Sequence, residues 1–67
     1  MQAYRLLTDE DTSAFCHKVT AALNKGWELY GSPSYAYDHA TGRMRCAQAV
    51  VKQAEGTYSA DVKLGEL

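Results

Sequence analysis

The segment from Asp9 to Lys25 has the pattern of an amphipathic helix, and it constrains the fold more than any other feature of the sequence. Apolar residues recur there at the spacing that places them on one helix face: Phe15, Val19, Ala22 and Leu23. Polar residues precede this segment, and Thr8 or Asp11 among them is the expected N-cap. Gly26 follows at the position where left-handed backbone ends a helix, and Trp27 is expected to anchor the helix to the rest of the fold.

Extended segments lie on both sides of this helix. Ala3 to Leu7 is short, apolar and aromatic, which predicts a first strand. A second strand begins after the helix, and Pro33 within it indicates an edge, a bulge or a bend. Asp38 to Gly42 has the composition of a hairpin loop, and Arg43 to Gln53 returns as a third strand. We therefore predict an α+β fold of order β-α-β-β, with one helix packed on a small three-stranded, mainly antiparallel sheet.

The length of 67 residues allows a single small domain. We assign that domain to residues 1–53 and regard residues 54–67 as a tail. Gly56 and Gly65 interrupt the tail, and its apolar residues are Tyr58, Val62 and Leu64. The sequence leaves two alternatives for it, a disordered tail or a short element that docks on a neighbouring chain.

The predicted hairpin has no clear solvent face. If Tyr37 pairs with Arg43, neither side of the hairpin shows the apolar and polar alternation of a half-covered antiparallel sheet. One helix covers one face only, so a second copy of the chain is the simplest cover for the other, and we expect a homo-oligomer. This register places Gly31, Ala47 and Ala49 beneath the helix, and Tyr30, Met44, Cys46 and Val50 at the oligomer surface. A bulge at Pro33 that shifted the register by one residue would exchange the two faces.

Charge and hydropathy exclude several classes of protein. Seven Lys and Arg residues oppose eight Asp and Glu residues, and this balance argues against a nucleic-acid-coating protein. Hydrophobic residues make up 46% of the chain, which is too many for an intrinsically disordered one. There is no signal-peptide pattern and no apolar run of membrane-spanning length. We expect a cytoplasmic protein that binds neither membranes nor nucleic acids.

The sequence shows no arrangement typical of an enzyme or a metal protein. Cys16 and Cys46 form no CxxC pair, so we expect free thiols in small buried positions. His17 and His39 have no metal-ligand spacing and are expected to be exposed. Nucleophile and phosphate-loop motifs are missing as well. We therefore predict a non-enzymatic protein with no cofactor and no metal.

One group near the hairpin tip has the chemistry of a ligand site. In the register above, two arginines face two tyrosines on the same side of the hairpin. Arginine binds phosphate bidentately and tyrosine stacks on bases, although such pairs also form ordinary cross-strand cation–π contacts. The residues predicted to bind a small anionic or nucleotide-like ligand are Arg43 and Arg45, with Tyr35 or Tyr37 stacking and His39 at the rim.

Two stretches together resemble a small family of bacterial and phage proteins known as a domain of unknown function. They are Tyr4-Arg5-Leu6-Leu7-Thr8 and Gly26-Trp27-Glu28-Leu29-Tyr30-Gly31-Ser32-Pro33. The resemblance covers about residues 4–52, with Cys46 to Lys52 as the closing strand and Asp9 where a glycine is expected. It implies the β-α-β-β fold and a short cytoplasmic protein, and it brings no catalytic residue or substrate.

Two functions remain as hypotheses. The first is a homo-oligomeric binding module that sequesters the small anionic ligand. The second is a protein-interaction module, an adaptor or inhibitor of a host protein, that uses the helix face or the apolar residues of the tail.

Overall fold

A computed structural model describes all 67 residues, and its elements follow the predicted order. The elements are β1 (Gln2–Glu10), α1 (Ser13–Asn24), β2 (Glu28–Asp38), β3 (Arg43–Gln53) and a 3-10 helix, η1 (Leu64–Glu66). The three strands form one antiparallel sheet in the order β1-β3-β2, so the α+β fold of one helix and three strands is confirmed. No helix has both the length and the apolar character needed to cross a membrane.

The first strand is longer than predicted and shortens the helix. β1 stays paired with β3 as far as Glu10, which lies opposite Arg45. The backbone N–H of Asp11 then donates to the carbonyl of Met44 at 3.2 Å. The predicted N-caps, Thr8 and Asp11, were therefore wrong, because β3 holds residues 8–10 in extended conformation beside it and the N–H of Thr12 then closes a tight turn around Asp11 by donating to the carbonyl of Glu10 at 2.8 Å.

Side-chain and backbone caps define both ends of α1. Thr12 is extended, and its Oγ1 accepts the N–H of Ala14 at 3.3 Å, as an N-cap does. Gly26 has a φ of 94°, which confirms the predicted left-handed residue after the helix. The N–H of Trp27 donates to the carbonyl of Ala22 at 3.1 Å, so the chain turns directly from the helix into β2.

The core lies between α1 and one face of the sheet. Trp27 is 2% exposed and packs there with the helix residue Ala22, which confirms its predicted anchoring role. Leu64 and Leu67 of the tail pack against this core. The tail thus docks on its own chain, whereas the sequence had left open a disordered tail or docking on a neighbouring chain. The fully buried apolar residues are Ala3, Leu7, Ala22, Trp27 and Val50.

The hairpin register differs from the predicted one by one residue. Asp38 belongs to β2 and lies opposite Arg43, so Tyr37 lies opposite Met44. The carbonyl of Asp38 accepts the N–H of Gly42 at 2.8 Å, and its carboxylate accepts the N–H of Ala40 at 2.9 Å. The predicted pairing of Tyr37 with Arg43 was wrong because these bonds close the loop one residue later. A shift of one residue exchanges the faces on which side chains lie.

The bulge expected near the proline is present but does not exchange the faces. Residues 31–33 of β2 stand opposite the single residue Gln48 of β3. An even number of extra residues leaves the alternation unchanged on both sides of the bulge. The side chain of Gln48 is buried beneath the bulge, and its Nε2 donates to the carbonyls of Tyr30 at 3.4 Å, Gly31 at 3.3 Å and Ala49 at 2.9 Å.

Candidate interaction surface

The two faces of the sheet differ in what covers them. The helix-covered face carries Ala3 and Leu7 of β1 with Gln48 and Val50 of β3, which are buried. No segment of the chain packs on the opposite face, which we call the open face. The open face consists of Gln2, Tyr4, Leu6, Thr8 and Glu10 of β1, Arg43, Arg45, Ala47, Ala49, Val51 and Gln53 of β3, and Glu28, Tyr30, Ser34, Ala36 and Asp38 of β2.

Large apolar side chains are exposed at the centre of the open face. Tyr4 is 53% exposed, Leu6 54% and Tyr30 63%. Leu6 and Tyr30 lie on either side of the small residue Ala49, because β1 and β2 both pair with β3 at that residue. A contiguous apolar surface of this kind is typical of a protein–protein contact.

The sequence prediction assigned the residues of β3 to the wrong faces, although Tyr30 of β2 lies on the open face as expected. Met44, Cys46 and Val50, expected at the oligomer surface, lie on the helix-covered face. Ala47 and Ala49, expected beneath the helix, lie on the open face. The one-residue difference in the hairpin loop accounts for both errors. The broader prediction, that the helix leaves one apolar face uncovered, holds for the single chain.

Charged residues lie at the two ends of the open face. At the hairpin end, Arg43 Nη1 is 3.2 Å from Glu10 Oε2. Arg45 lies in the same region opposite Glu10 and forms no ion pair within the chain. At the other end, Glu28 lies opposite Val51 and also has no ion-pair partner. At the hairpin end the open face therefore has an unpaired cation, Arg45, and an unpaired carboxylate, Asp38, which lies opposite Arg43; at the other end it has the unpaired carboxylate of Glu28.

The two tyrosines of the predicted ligand site lie on the helix-covered face, beyond the start of α1. Tyr35 donates its hydroxyl to Asp11 Oδ2 at 2.6 Å, and this bond raises the pKa of Tyr35. The ring of Tyr37 meets that of His39 edge-on, with 4.9 Å between centroids. These three side chains are exposed, and they form contacts near the hairpin tip rather than an enclosed pocket.

The structure therefore separates the predicted ligand residues. Arg43 and Arg45 lie on the open face, whereas Tyr35 and Tyr37 lie on the other side of the sheet. The predicted platform of arginines facing tyrosines was wrong, for the same reason as the register. Anion binding by the arginines themselves stays a prediction.

The cysteines and histidines do not come together in a catalytic or metal-binding site. Both cysteines are free, as expected, but Cys16 is exposed and Cys46 is only partly buried. Burial raises the pKa of the Cys46 thiol. His17 and His39 are exposed, and no group of three or more His, Cys, Asp or Glu residues is placed to hold a metal ion.

An open cleft separates α1 from β2 on the helix-covered face. Its volume is about 290 Å³. Gln48 forms part of its wall, and the partly exposed Leu29 faces it from the strand. The remaining lining residues are Phe15, Cys16, Val19, Thr20 and Pro33.

A second cluster, missed in the sequence, lies at the base of the sheet around Trp27. The guanidinium of Arg5 is 5.5 Å from the indole ring centroid, and Lys52 Nζ is 6.0 Å from it. Lys52 also donates to the carbonyls of Lys25 at 2.6 Å and Leu67 at 2.9 Å, so it joins the helix end to the tail. Alternation along β1 places Arg5 on the same face as the buried Ala3 and Leu7, and the charge of Arg5 would have suggested the opposite, a solvent face, so no signal in the sequence pointed to this cluster.

The comparisons with known proteins give a family but no activity. Residues 1–53 match the family described as "Domain of unknown function (DUF1737)". This chain belongs to that family. The match covers the whole sheet and α1 and ends where the tail begins. Neither the curated proteins nor the solved structures include a significant match to the chain.

Proposed function

We propose that this protein is a small non-enzymatic binding module that works as a homo-oligomer assembled through the open face. The observation that carries the proposal is the exposure of Tyr4, Leu6 and Tyr30 around Ala49 on a sheet face that nothing in the chain covers. Burying apolar surface yields about 25 cal/mol per Å², so leaving this face in water forgoes a large stabilisation for so small a core.

The size of the chain supports a second copy as the cover. A stable dimer buries about 800 Å² on each partner. The extents of the protein are 41, 23 and 19 Å, so a contact of that area takes in most of one broad side. A two-fold dimer uses the same patch on both copies, and the open face offers an apolar centre with charges at its ends.

Light scattering coupled to size exclusion tests the assembly. We expect the parent chain at micromolar concentration to have at least twice the 7.4 kDa mass of one chain. Ala49→Glu places a charge at the centre of the open face, where a monomer leaves it in water but a dimer buries it. That variant should be monomeric by light scattering and folded by circular dichroism. The control Ala60→Glu, in the exposed tail, should match the parent in both measurements. A monomeric parent contradicts the proposal.

The ligand of the module is the narrower part of the proposal. We retain a small anionic ligand held by Arg43 and Arg45, because both arginines lie on the same face at the hairpin end. Glu10 already neutralises part of the charge of Arg43. In a thermal-shift screen with nucleotides, a ligand at 100 times its Kd should stabilise the fold by about 2.7 kcal/mol. Arg43→Ala and Arg45→Ala should each reduce the shift, whereas Lys63→Ala in the tail should not.

A second candidate function is that of a protein-interaction module, and the cleft between α1 and β2 favours it. Phe15, Val19 and Leu29 give this cleft an apolar lining. The tail gives this alternative less support than the sequence suggested, because Leu64 packs on the core of its own chain. Leu29→Asp should abolish capture of a host protein without affecting the oligomer. The cytoplasmic location and the bacterial or phage origin remain predictions from the sequence.

A further inference from the structure

The register of the sheet arranges the open face in rows of alternating size. Residues that pair across the three strands lie side by side in a row. One row is large, with Leu6, Ala49 and Tyr30, and the next row toward the hairpin is small, with Thr8, Ala47 and Ser34. A large row packs closely on a small row of a facing sheet, because the tall side chains fill the space above the short ones.

The charged residues of the open face also differ from one row to the next. The row beyond the large row contains Tyr4, Val51 and Glu28, and the row beyond the small row contains Glu10, Arg45 and Ala36. Glu10 pairs with Arg43, whereas Glu28 and Arg45 have no ion-pair partner in their own chain. The face is therefore complementary to itself in both shape and charge when one copy is turned end to end.

We propose that two copies stack open face to open face with antiparallel strands, so that Glu28 of each approaches Arg45 of the other. This inference rests on the proposed function and adds the orientation of the second copy. The two-fold axis lies midway between the sheets and parallel to them. It runs perpendicular to the strands and passes over Gln48 of β3. The large row of each copy then packs on the small row of its partner, and stacked sheets of this kind lie about 10 Å apart.

The other way to stack two open faces is unfavourable. An axis parallel to the strands would place the hairpin ends together, with the Arg45 side chains of both copies close to each other. It would also stack the large row of one copy on the large row of the other, so that Tyr30 and Leu6 meet large side chains. Like charges and tall residues would then hold the sheets apart at both positions.

A charge exchange between the two ends distinguishes these arrangements. Glu28→Lys and Arg45→Glu each place like charges at two symmetric contacts of the antiparallel dimer. We expect each single change to raise the dimer Kd by roughly tenfold at low salt, with a smaller effect at high salt. The double variant restores opposite charges, and its Kd should return to within about threefold of the parent value. The control Glu55→Lys, at an exposed tail position, should leave the Kd unchanged.

Sedimentation equilibrium on the full 67-residue chain measures these constants. Recovery of affinity in the double variant supports the antiparallel stack. A dimeric parent whose double variant binds as weakly as the single variants overturns the orientation and leaves the proposed function standing. Tighter dimerisation of Arg45→Ala, which removes the cation from both copies, with no effect of Glu28→Lys, would overturn the antiparallel stack and assign the arrangement with the hairpin ends together. A monomeric parent overturns both the orientation and the proposed function.

Discussion

Replacing Gln48 with leucine tests how the bulge of β2 is held. The side chain of Gln48 is 5% exposed and its Nε2 reaches three backbone carbonyls. Leucine has a similar volume and no donor, so Gln48→Leu removes the hydrogen bonds while it keeps the space filled. We expect the variant to fold with the same sheet and to be less stable than the parent.

The expected loss follows from the geometry of the three contacts. The bond to the carbonyl of Ala49, at 2.9 Å, has the length of a good hydrogen bond, whereas those to Tyr30 and Gly31, at 3.4 and 3.3 Å, are long. A typical bond contributes about 0.5–1.5 kcal/mol net, and a buried acceptor left without a donor costs about 1–3 kcal/mol. The gain from burying a leucine offsets part of this. We therefore expect a net destabilisation of about 1–2 kcal/mol.

Thermal and urea denaturation at one fixed protein concentration measure this difference. A loss of 1 kcal/mol lowers the Tm of a domain of this size by about 4–8 °C. Fixed concentration matters because oligomerisation adds to the apparent stability. The control is Gln53→Leu, an exposed glutamine at the end of the same strand, which should change the Tm little. Equal or greater stability of Gln48→Leu would refute the role that we assign to the amide.

Three further predictions concern single side chains. The pKa of Asp9 is lowered, mainly because its carboxylate accepts the backbone N–H of Glu10. Asp9→Asn should therefore lower the free energy of unfolding at pH 7. The difference from the parent should vanish as the pH falls below 3.8 and through the lowered pKa of Asp9. The exposed Cys16 should react with a maleimide near neutral pH before Cys46, whose pKa is raised; equal rates read by mass spectrometry would contradict this. Leu64→Ser should shift the emission of the only tryptophan to the red, while Tyr58→Ser should not.

The elements of the fold were accessible from the sequence because their signals are local. Arg43 to Gln53 is the third strand as predicted, and Gly26 ends the helix as expected. The start of the helix was not accessible in this way. Asp9 to Asp11 look like a helix entry, but the partner strand β3 holds Asp9 and Glu10 extended and also accepts the N–H of Asp11. That competition depends on tertiary pairing rather than on local preference.

The candidate surface was predicted in kind and missed in detail. The absence of a polar face in the hairpin correctly indicated that the helix leaves an apolar face uncovered. The identity of that face depended on one residue in a loop, Asp38, whose inclusion in β2 moves Arg43 and Arg45 away from Tyr35 and Tyr37. Composition cannot distinguish a four-residue from a five-residue loop here, because the backbone and side-chain bonds of the aspartate suit either length.

The edges of the sheet explain why self-association should use the open face. An exposed sheet edge is the other route by which two copies could pair, through backbone hydrogen bonds. On β2 the bulge and Pro33, which has no N–H, interrupt the outer strand at its middle. On β1 the ammonium of Lys18 donates to the carbonyl of Thr8 at 2.8 Å and lies 3.3 Å from Asp9, which places a charge beside the strand. Both outer strands thus carry features that oppose strand addition, whereas the open face carries none at its apolar centre, so burial of that face is the more favourable contact between copies.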